Sequence, residues 1–318
     1  MDISFAPMEG ITGYIYRNAH NRCFKGVSRY FTPFIVANQT RHLKTRERRD
    51  ALPENNVGIN IVPQLLGHNA DDVVFTAKAM KELGYNEINL NFGCPSATVV
   101  TKGRGAGMLE NPDKMNAFLD EVFSGLSNEG INISVKTRLG MYEESEMDRL
   151  IEIYNAYPLS ELIIHARVRD DFYNGLPRYD AFEKALKASK APVVYNGDVY
   201  TKENFESVVK RFPDIKEVMI GRGMLINPAL AQIIAGENSL YVNDFLKFHN
   251  MIYKDYCTIF MGDNNVLHKM KELWVYWENI FPGFEKEIKK IKKAKNHSEY
   301  EVGVRNLIER IPADSEVI

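Results

Sequence analysis

Strand-like apolar runs alternate with helix-like segments eight times along this chain, and that alternation restricts the fold more than any other feature. The candidate strands are Ile3–Met8, Val27–Ile35, Val57–Leu66, Glu87–Asn91, Ile131–Thr137, Glu161–His165, Pro192–Asn196 and Glu217–Gly221. The segment after the third shows how the helices are marked. Asn69 can cap, Asp71 and Asp72 suit the first turn, Val73, Val74, Ala77 and Met80 supply an apolar face, and Gly84 ends it. Similar signals fill Pro112–Ser127, Glu144–Tyr157, Tyr179–Ala188 and Thr201–Arg211. Eight strands with helical crossovers predict an α/β chain folded as a (β/α)8 TIM barrel, whose usual size is about 250 residues. A doubly wound open sheet is the alternative. It normally carries a Gly-x-Gly-x-x-Gly turn after its first strand, and Ala6-Pro7-Met8-Glu9-Gly10 is not one.

The pattern stops near Glu237. Beyond it Phe245, Phe248, Ile252, Tyr256 and Ile259 recur at helical spacing, as do Phe281, Phe284, Ile288 and Ile291. The expected organisation is a catalytic barrel over residues 1–237 and a smaller all-helical domain over 238–318. The stretch Glu285–Lys295 holds six Lys against two Glu. A run like this is either a solvated helix face or a surface for a phosphate backbone. On one side of a helix it would present Lys286, Lys289, Lys290 and Lys293.

Composition narrows the partners. A net charge of −2 leaves no global cationic footprint, so a nucleic acid would have to bind a local basic face. Three widely spaced Cys make no disulfide framework, which points to a reducing cytoplasm. No Cys/His cluster suggests a metal, and no segment reads as a signal peptide or membrane span.

In a barrel of this kind the chemistry sits where the strands end. Strand one ends in Pro7-Met8, strand three in Gln64, and strand four in Asn91-Phe92-Gly93-Cys94-Pro95. Strand five ends in Lys136-Thr137-Arg138, strand six in His165-Ala166-Arg167, strand seven in Asn196-Gly197-Asp198, and strand eight in Gly221-Arg222. Each has a bland reading alone: a packed thiol, a satisfied core histidine, a loop cap, a turn. Lys136 is the least bland, because a buried lysine needs a partner. Polar groups at nearly every strand end are together hard to explain as packing. Glycine-containing turns after the last two strands suit a phosphate. Gln64, Lys136 and the backbone near Met8 suit a flat heterocycle. A phosphate plus a polar ring suggests flavin mononucleotide, FMN, with Lys136 favouring its reduced, anionic form.

These motifs, in this order, resemble the tRNA-dihydrouridine synthases over nearly the whole chain. The resemblance rests on Ala6–Gly10, Asn91–Ser96, Val135–Gly140, His165–Arg167, Asn196–Asp198 and Met219–Gly223. It implies an FMN-binding barrel followed by a helical tRNA-binding domain, with NADPH or NADH as electron donor. It implies flavin contacts at Pro7, Met8, Gln64, Lys136, His165, Asn196, Gly197, Asp198, Gly221 and Arg222. Cys94 matches the catalytic acid, and Asn91, Arg138 and Arg167 match positions near the substrate uracil. Lys102 and Arg104 fall on the loop beside Cys94, where they could grip a flipped nucleotide. Many members carry a basic residue soon after Cys-Pro and then Ala-Gly-Ser. Here the sequence runs Ser96-Ala97-Thr98-Val99-Val100-Thr101-Lys102-Gly103-Arg104-Gly105-Ala106-Gly107, which looks more like the bacterial branch acting on uridine 16. A monomeric, cytoplasmic, metal-free enzyme is expected. The alternative is a dihydroorotate-type flavoenzyme acting on a free pyrimidine.

Overall fold

The computed structural model describes residues 1–317. Its strands are β1 (Asp2–Phe5), β2 (Arg29–Phe31), β3 (Ile35–Val36), β4 (Ile61–Val62), β5 (Gln64–Leu66), β6 (Glu87–Phe92), β7 (Asn132–Arg138), β8 (Glu161–His165), β9 (Val193–Asn196) and β10 (Glu217–Ile220). All pairings are parallel, in the order β3-β5-β6-β7-β8-β9-β10-β1-β2-β4. Pro63 divides one stave into β4, which pairs with β2, and β5, which pairs with β6. Proline has no N–H for the ladder, yet its carbonyl still accepts from Asn89 N at 2.9 Å. The sheet therefore closes as a (β/α)8 barrel, with β3 as an extra ribbon on β5.

The expected strands differ from the observed ones where backbone chemistry intervenes. The second splits into β2 and β3 around Pro33. The third starts at Ile61 rather than Val57, because Gly58 turns the chain with φ of 75°. The first ends at Phe5, just before Pro7, although Ala6 N still donates to Ile220 O at 2.8 Å. The helix Ala70–Glu82 starts as expected, with the Asn69 side chain accepting from Asp72 N. Pro112–Leu126 is capped in the same way by Asn111.

Two compact units divide the chain. One comprises residues 1–7, 28–198 and 207–220, and the other 8–27, 199–206 and 221–318. The barrel sheet lies wholly in the first. Ala6, Phe31, Val62, Ile163, Val194 and Met219 form its apolar interior. Beneath them sits an ionic floor from alternate staves, in the layered manner of such barrels. Arg29 of β2 pairs with Glu161 of β8, with Glu217 of β10 at 2.9 Å, and with Glu87 of β6 at 3.6 Å. The second unit is helical: Tyr14–Cys23, Arg222–Ile226, Leu230–Ile234, Val242–Ile259, Asp263–Trp277, Glu285–Lys293 and His297–Ile308. An aromatic core of Phe245, Trp274, Trp277 and Phe281 holds it, and Trp274 Nε1 donates to Tyr300 Oη at 2.9 Å. Among the described residues no helix is long and apolar enough to cross a membrane.

Candidate active site at the barrel mouth

The loop after β6 is built to immobilise one thiol. The Asn91 side-chain carbonyl accepts from Gly93 N at 3.1 Å and from Cys94 N at 2.9 Å, an Asx turn that bends the chain off the strand. Ala106 N donates to Cys94 O at 3.0 Å, folding the glycine-rich loop back onto the turn. Residue 105 must be glycine for this. Its φ is 56°, and a Cβ there would lie 2.9 Å from Cys94 O. From the neighbouring stave, Arg138 Nε donates to Gly93 O at 2.8 Å, and its Nη1 donates to Val168 O and Phe172 O, each at 2.9 Å. Cys94 itself is half-buried and is not in a disulfide.

A chain of side chains runs from this turn down the barrel interior. Asn91 Nδ2 donates to Gln64 Oε1 at 2.7 Å, and Gln64 Nε2 to Asn89 Oδ1 at 2.8 Å. Asn89 Nδ2 donates to Ser134 Oγ at 3.0 Å, and Ser134 Oγ to Glu87 of the ionic floor at 3.1 Å. Inward positions recur every second residue, so Glu87, Asn89 and Asn91 share one face of β6. The sequence reading singled out Gln64 and Asn91 but missed Asn89 and Ser134, which connect them to the floor. The alternation within β6 was the available signal.

Lys136 stands beside Asn91 in register and donates to Asn196 Oδ1 at 2.8 Å. Asn196 in turn donates to Met219 O at 2.8 Å, so its orientation is set. Burial by the barrel walls, with the nearby Arg138 cation, lowers the Lys136 amine to about 7. Burial likewise lowers Arg138 to about 10. Among the described residues no carboxylate pairs with Lys136. A dehydrated cation lacking a counter-ion fits an anionic or electron-rich ligand, which would restore its charge. His165 and Arg138 are register partners, and both approach Tyr173, whose ring centroid lies 5.9 Å from His165 and 5.4 Å from the Arg138 guanidinium carbon. Arg167 is fully buried and pairs with Asp198, donating to its Oδ1 at 3.1 Å and also to the Asn174 and Gly175 carbonyls. Gly197 leaves no room for a side chain, since a Cβ would lie 2.1 Å from Tyr195 Oη.

The first unit thus brings together Gln64, Asn91, Cys94, Lys136, Arg138, His165, Arg167, Asn196, Gly197 and Asp198. Lys102 is exposed on the cysteine loop, where Arg104 Nε donates to His68 Nδ1 at 2.9 Å. Pro7 is half-buried after β1. Met8, Gly221 and Arg222 belong to the second unit. There the Met8 carbonyl accepts from Ile11 N and Thr12 N at 3.0 Å. Gly221 precedes the helix Arg222–Ile226, and the Arg222 guanidinium carbon stands 5.5 Å from the Tyr200 ring centroid. Lys286, Lys289, Lys290 and Lys293 are exposed on one helix whose Ile288 and Ile291 are buried, whereas Lys292 turns to Glu278 at 2.9 Å.

A family profile described as "Dihydrouridine synthase (Dus)" matches residues 4–310. The chain belongs to the dihydrouridine synthase family. The tRNA-dihydrouridine(16) synthase of Cupriavidus necator is 31% identical over 244 residues, covering 73% of this chain and 72% of that one. The tRNA-dihydrouridine synthase B of Pasteurella multocida is 28% identical over 234 residues, covering 73% and 68%. Among solved structures, morphinone reductase superposes with a TM-score of 0.54 at 11% identity, covering 77% of this chain and 88% of that one. Histamine dehydrogenase from Rhizobium gives 0.56 at 12%, covering 78% and 49%. At such identities the likeness shows the barrel fold alone. Membership of the dihydrouridine synthase family makes the chain a flavin-dependent oxidoreductase and goes against the free-pyrimidine alternative.

Proposed function

We propose that this chain is a tRNA-dihydrouridine synthase that reduces the C5–C6 double bond of a D-loop uridine to 5,6-dihydrouridine. The observation that carries the reading is the rigidly mounted thiol of Cys94 facing the same barrel mouth as the uncompensated Lys136. FMN, reduced by NADPH or by NADH, supplies the hydride to uracil C6 when bound. Cys94 gives the matching proton to C5 and is reprotonated from solvent. An ordinary thiol has a pKa of about 8.5, so it is mostly protonated near neutrality and suits an acid. The Asn91 turn and the Arg138 clamp hold that thiol in place, which limits the reorganisation the proton transfer requires.

Lys136, oriented by Asn196 and not answered by any carboxylate among the described residues, stabilises negative charge on the ring system. Pro7, Met8, Gln64, His165, Gly197, Asp198, Gly221 and Arg222 complete the flavin set on the strength of the family match. Arg167, Lys102 and Arg104 are assigned to the flipped nucleotide. The helical region 238–318, with Lys286, Lys289, Lys290 and Lys293, is assigned to the tRNA backbone. Uridine 16 is the proposed target, because a relative of that name matches over most of the chain and the cysteine loop is glycine-rich.

Two measurements test the reading. The purified protein should be yellow and should release one FMN per chain on denaturation. Mass-spectrometric mapping of tRNA from cells lacking the gene should show loss of dihydrouridine at position 16. Release of FAD, release of no flavin, or an unchanged dihydrouridine map would each count against it. Loss at another D-loop position would overturn only the assignment of the target.

A further inference from the structure

The side chains that join Gln64 to the barrel floor run in a direction that neither end allows to reverse. At the mouth, the Asn91 side-chain carbonyl accepts from two backbone N–H groups, those of Gly93 and Cys94. Its Nδ2 is therefore the donor to Gln64 Oε1 at 2.7 Å. Gln64 Nε2 must then donate to Asn89 Oδ1 at 2.8 Å, and Asn89 Nδ2 to Ser134 Oγ at 3.0 Å. At the far end the Ser134 hydroxyl donates to acceptors only, Glu87 Oε1 at 3.1 Å and the Ile88 carbonyl at 3.2 Å. Its oxygen is thus left to accept from Asn89. A backbone N–H cannot accept and a backbone carbonyl cannot donate. Both ends therefore impose the same orientation on the carboxamides of Asn91, Gln64 and Asn89.

Asn89 is the link that makes this orientation rigid. It is fully buried and stands in register between Gln64 of β5 and Ser134 of β7. Asn91 grips the Gln64 amide by its oxygen and Asn89 grips it by its nitrogen. Turning that amide over would set oxygen against oxygen at Asn89 and N–H against N–H at Asn91. In a low-dielectric interior such a network is held firmly while every bond is made, and leaving one member unpaired is costly. Among the described residues Gln64 Nε2 donates to Asn89 alone, so one of its two hydrogens stays uncommitted.

We infer that Asn89 is a positioning residue for both halves of the site. It locks the Gln64 carboxamide in the orientation that keeps an N–H for an acceptor atom of the flavin ring, and through Gln64 it steadies the Asn91 side chain that holds the Cys94 turn. The role rests on the proposed flavin contact of Gln64. Asn89 acts through Gln64 and not on the reacting atoms. Ligand and acid are thereby referred to the same fixed point in the barrel wall, which is what a preorganised site requires.

The test strips flavin from the full chain, returns FMN, and follows binding by the quenching of FMN fluorescence. Asn89→Leu deletes the acceptor for Gln64 and should weaken FMN binding by about two- to tenfold, the worth of one neutral hydrogen bond. Single-turnover reoxidation of the reduced flavin by tRNA should also slow, with the half-saturating tRNA concentration little changed. Asn89→Asp keeps an oxygen for Gln64 Nε2 and should restore FMN affinity to near the wild-type value. Should Asn89→Leu not fold, Asn89→Ala carries the same expectation. A merely structural role predicts a lower Tm in Asn89→Leu with FMN affinity and tRNA kinetics unaltered, and that result overturns the inference. So does an Asn89→Asp variant that binds FMN as weakly as Asn89→Leu. Gln64→Leu separates the two levels: if it binds FMN as tightly as the wild type, the flavin contact of Gln64 is what fails.

Discussion

Two side chains at the barrel mouth carry separable predictions. Cys94 is assigned to the proton, so Cys94→Ala should keep its flavin and its NADPH-driven bleaching. Reoxidation of the reduced flavin by tRNA should slow by about two to four orders of magnitude, the scale of general acid catalysis. Stopped-flow absorbance resolves the two half-reactions, and normal reoxidation by tRNA would refute the role. Lys136 carries a stability signature. Its amine is lowered to about 7 by burial and by Arg138, against an ordinary value of 10.5. Between those values the unfolded chain binds the extra proton, so wild-type stability without flavin should rise with pH from about 7 to 10.5. Lys136→Met should remove that share of the slope while slowing flavin reduction. Chemical denaturation of the flavin-free variant at several pH values reads it out. The cost of an uncompensated cation is legible here only in three dimensions. The sequence marked Lys136 as unusual, but the absence of a carboxylate partner is a fact of packing.

At the scale of elements, the floor of the barrel is the informative layer. Arg29 serves three carboxylates, and among the described residues Glu161 Oε1 has no hydrogen-bond partner. For Glu161 burial outweighs the attraction of Arg29, and Glu217 and Glu87 add repulsion, so its carboxyl rises to about 7 from 4.5. The native state then holds a proton that the unfolded chain releases, and stability should fall as pH climbs from about 4.5 to 7. Glu161→Gln keeps an acceptor for Arg29 and removes the titration. Its stability curve should be flatter by up to one proton across that window, and an identical pH dependence would exclude Glu161 as the proton holder. Neither this floor nor the Asn91–Gln64–Asn89–Ser134 chain was foreseen. Each joins residues from different staves, and period-two alternation within a strand says which side chains point inward but not which of them meet. The Pro33 and Pro63 breaks, by contrast, follow from a missing N–H and could be read directly.

For the whole molecule the problem is a polyanionic substrate and a chain of net charge −2. Binding must then rest on local cations. Replacing Lys286, Lys289, Lys290 and Lys293 by Gln should raise the apparent KM for tRNA and lower the salt slope by roughly three, with flavin reduction unaltered. No change in either tRNA parameter would make that helix a merely solvated face. Much of this protein was already determined by its sequence. Eight strand-to-helix alternations called for a parallel sheet with helical crossovers, and the lack of a Gly-x-Gly-x-x-Gly turn after the first strand favoured a barrel over a doubly wound sheet. The polar strand ends marked the mouth, because buried polar groups are costly without a purpose. The helical spacing beyond Glu237 marked a region without strands, and it is helical. Tertiary structure alone decided which residues are held by which. It turned Asn91 into the clasp of Cys94, joined Asp198 to Arg167, buried Glu47 and Asp50, and left the arginines beside them exposed. Such outcomes depend on distances across the barrel and on which charges lose their water, and neither quantity is carried by the order of residues along the chain.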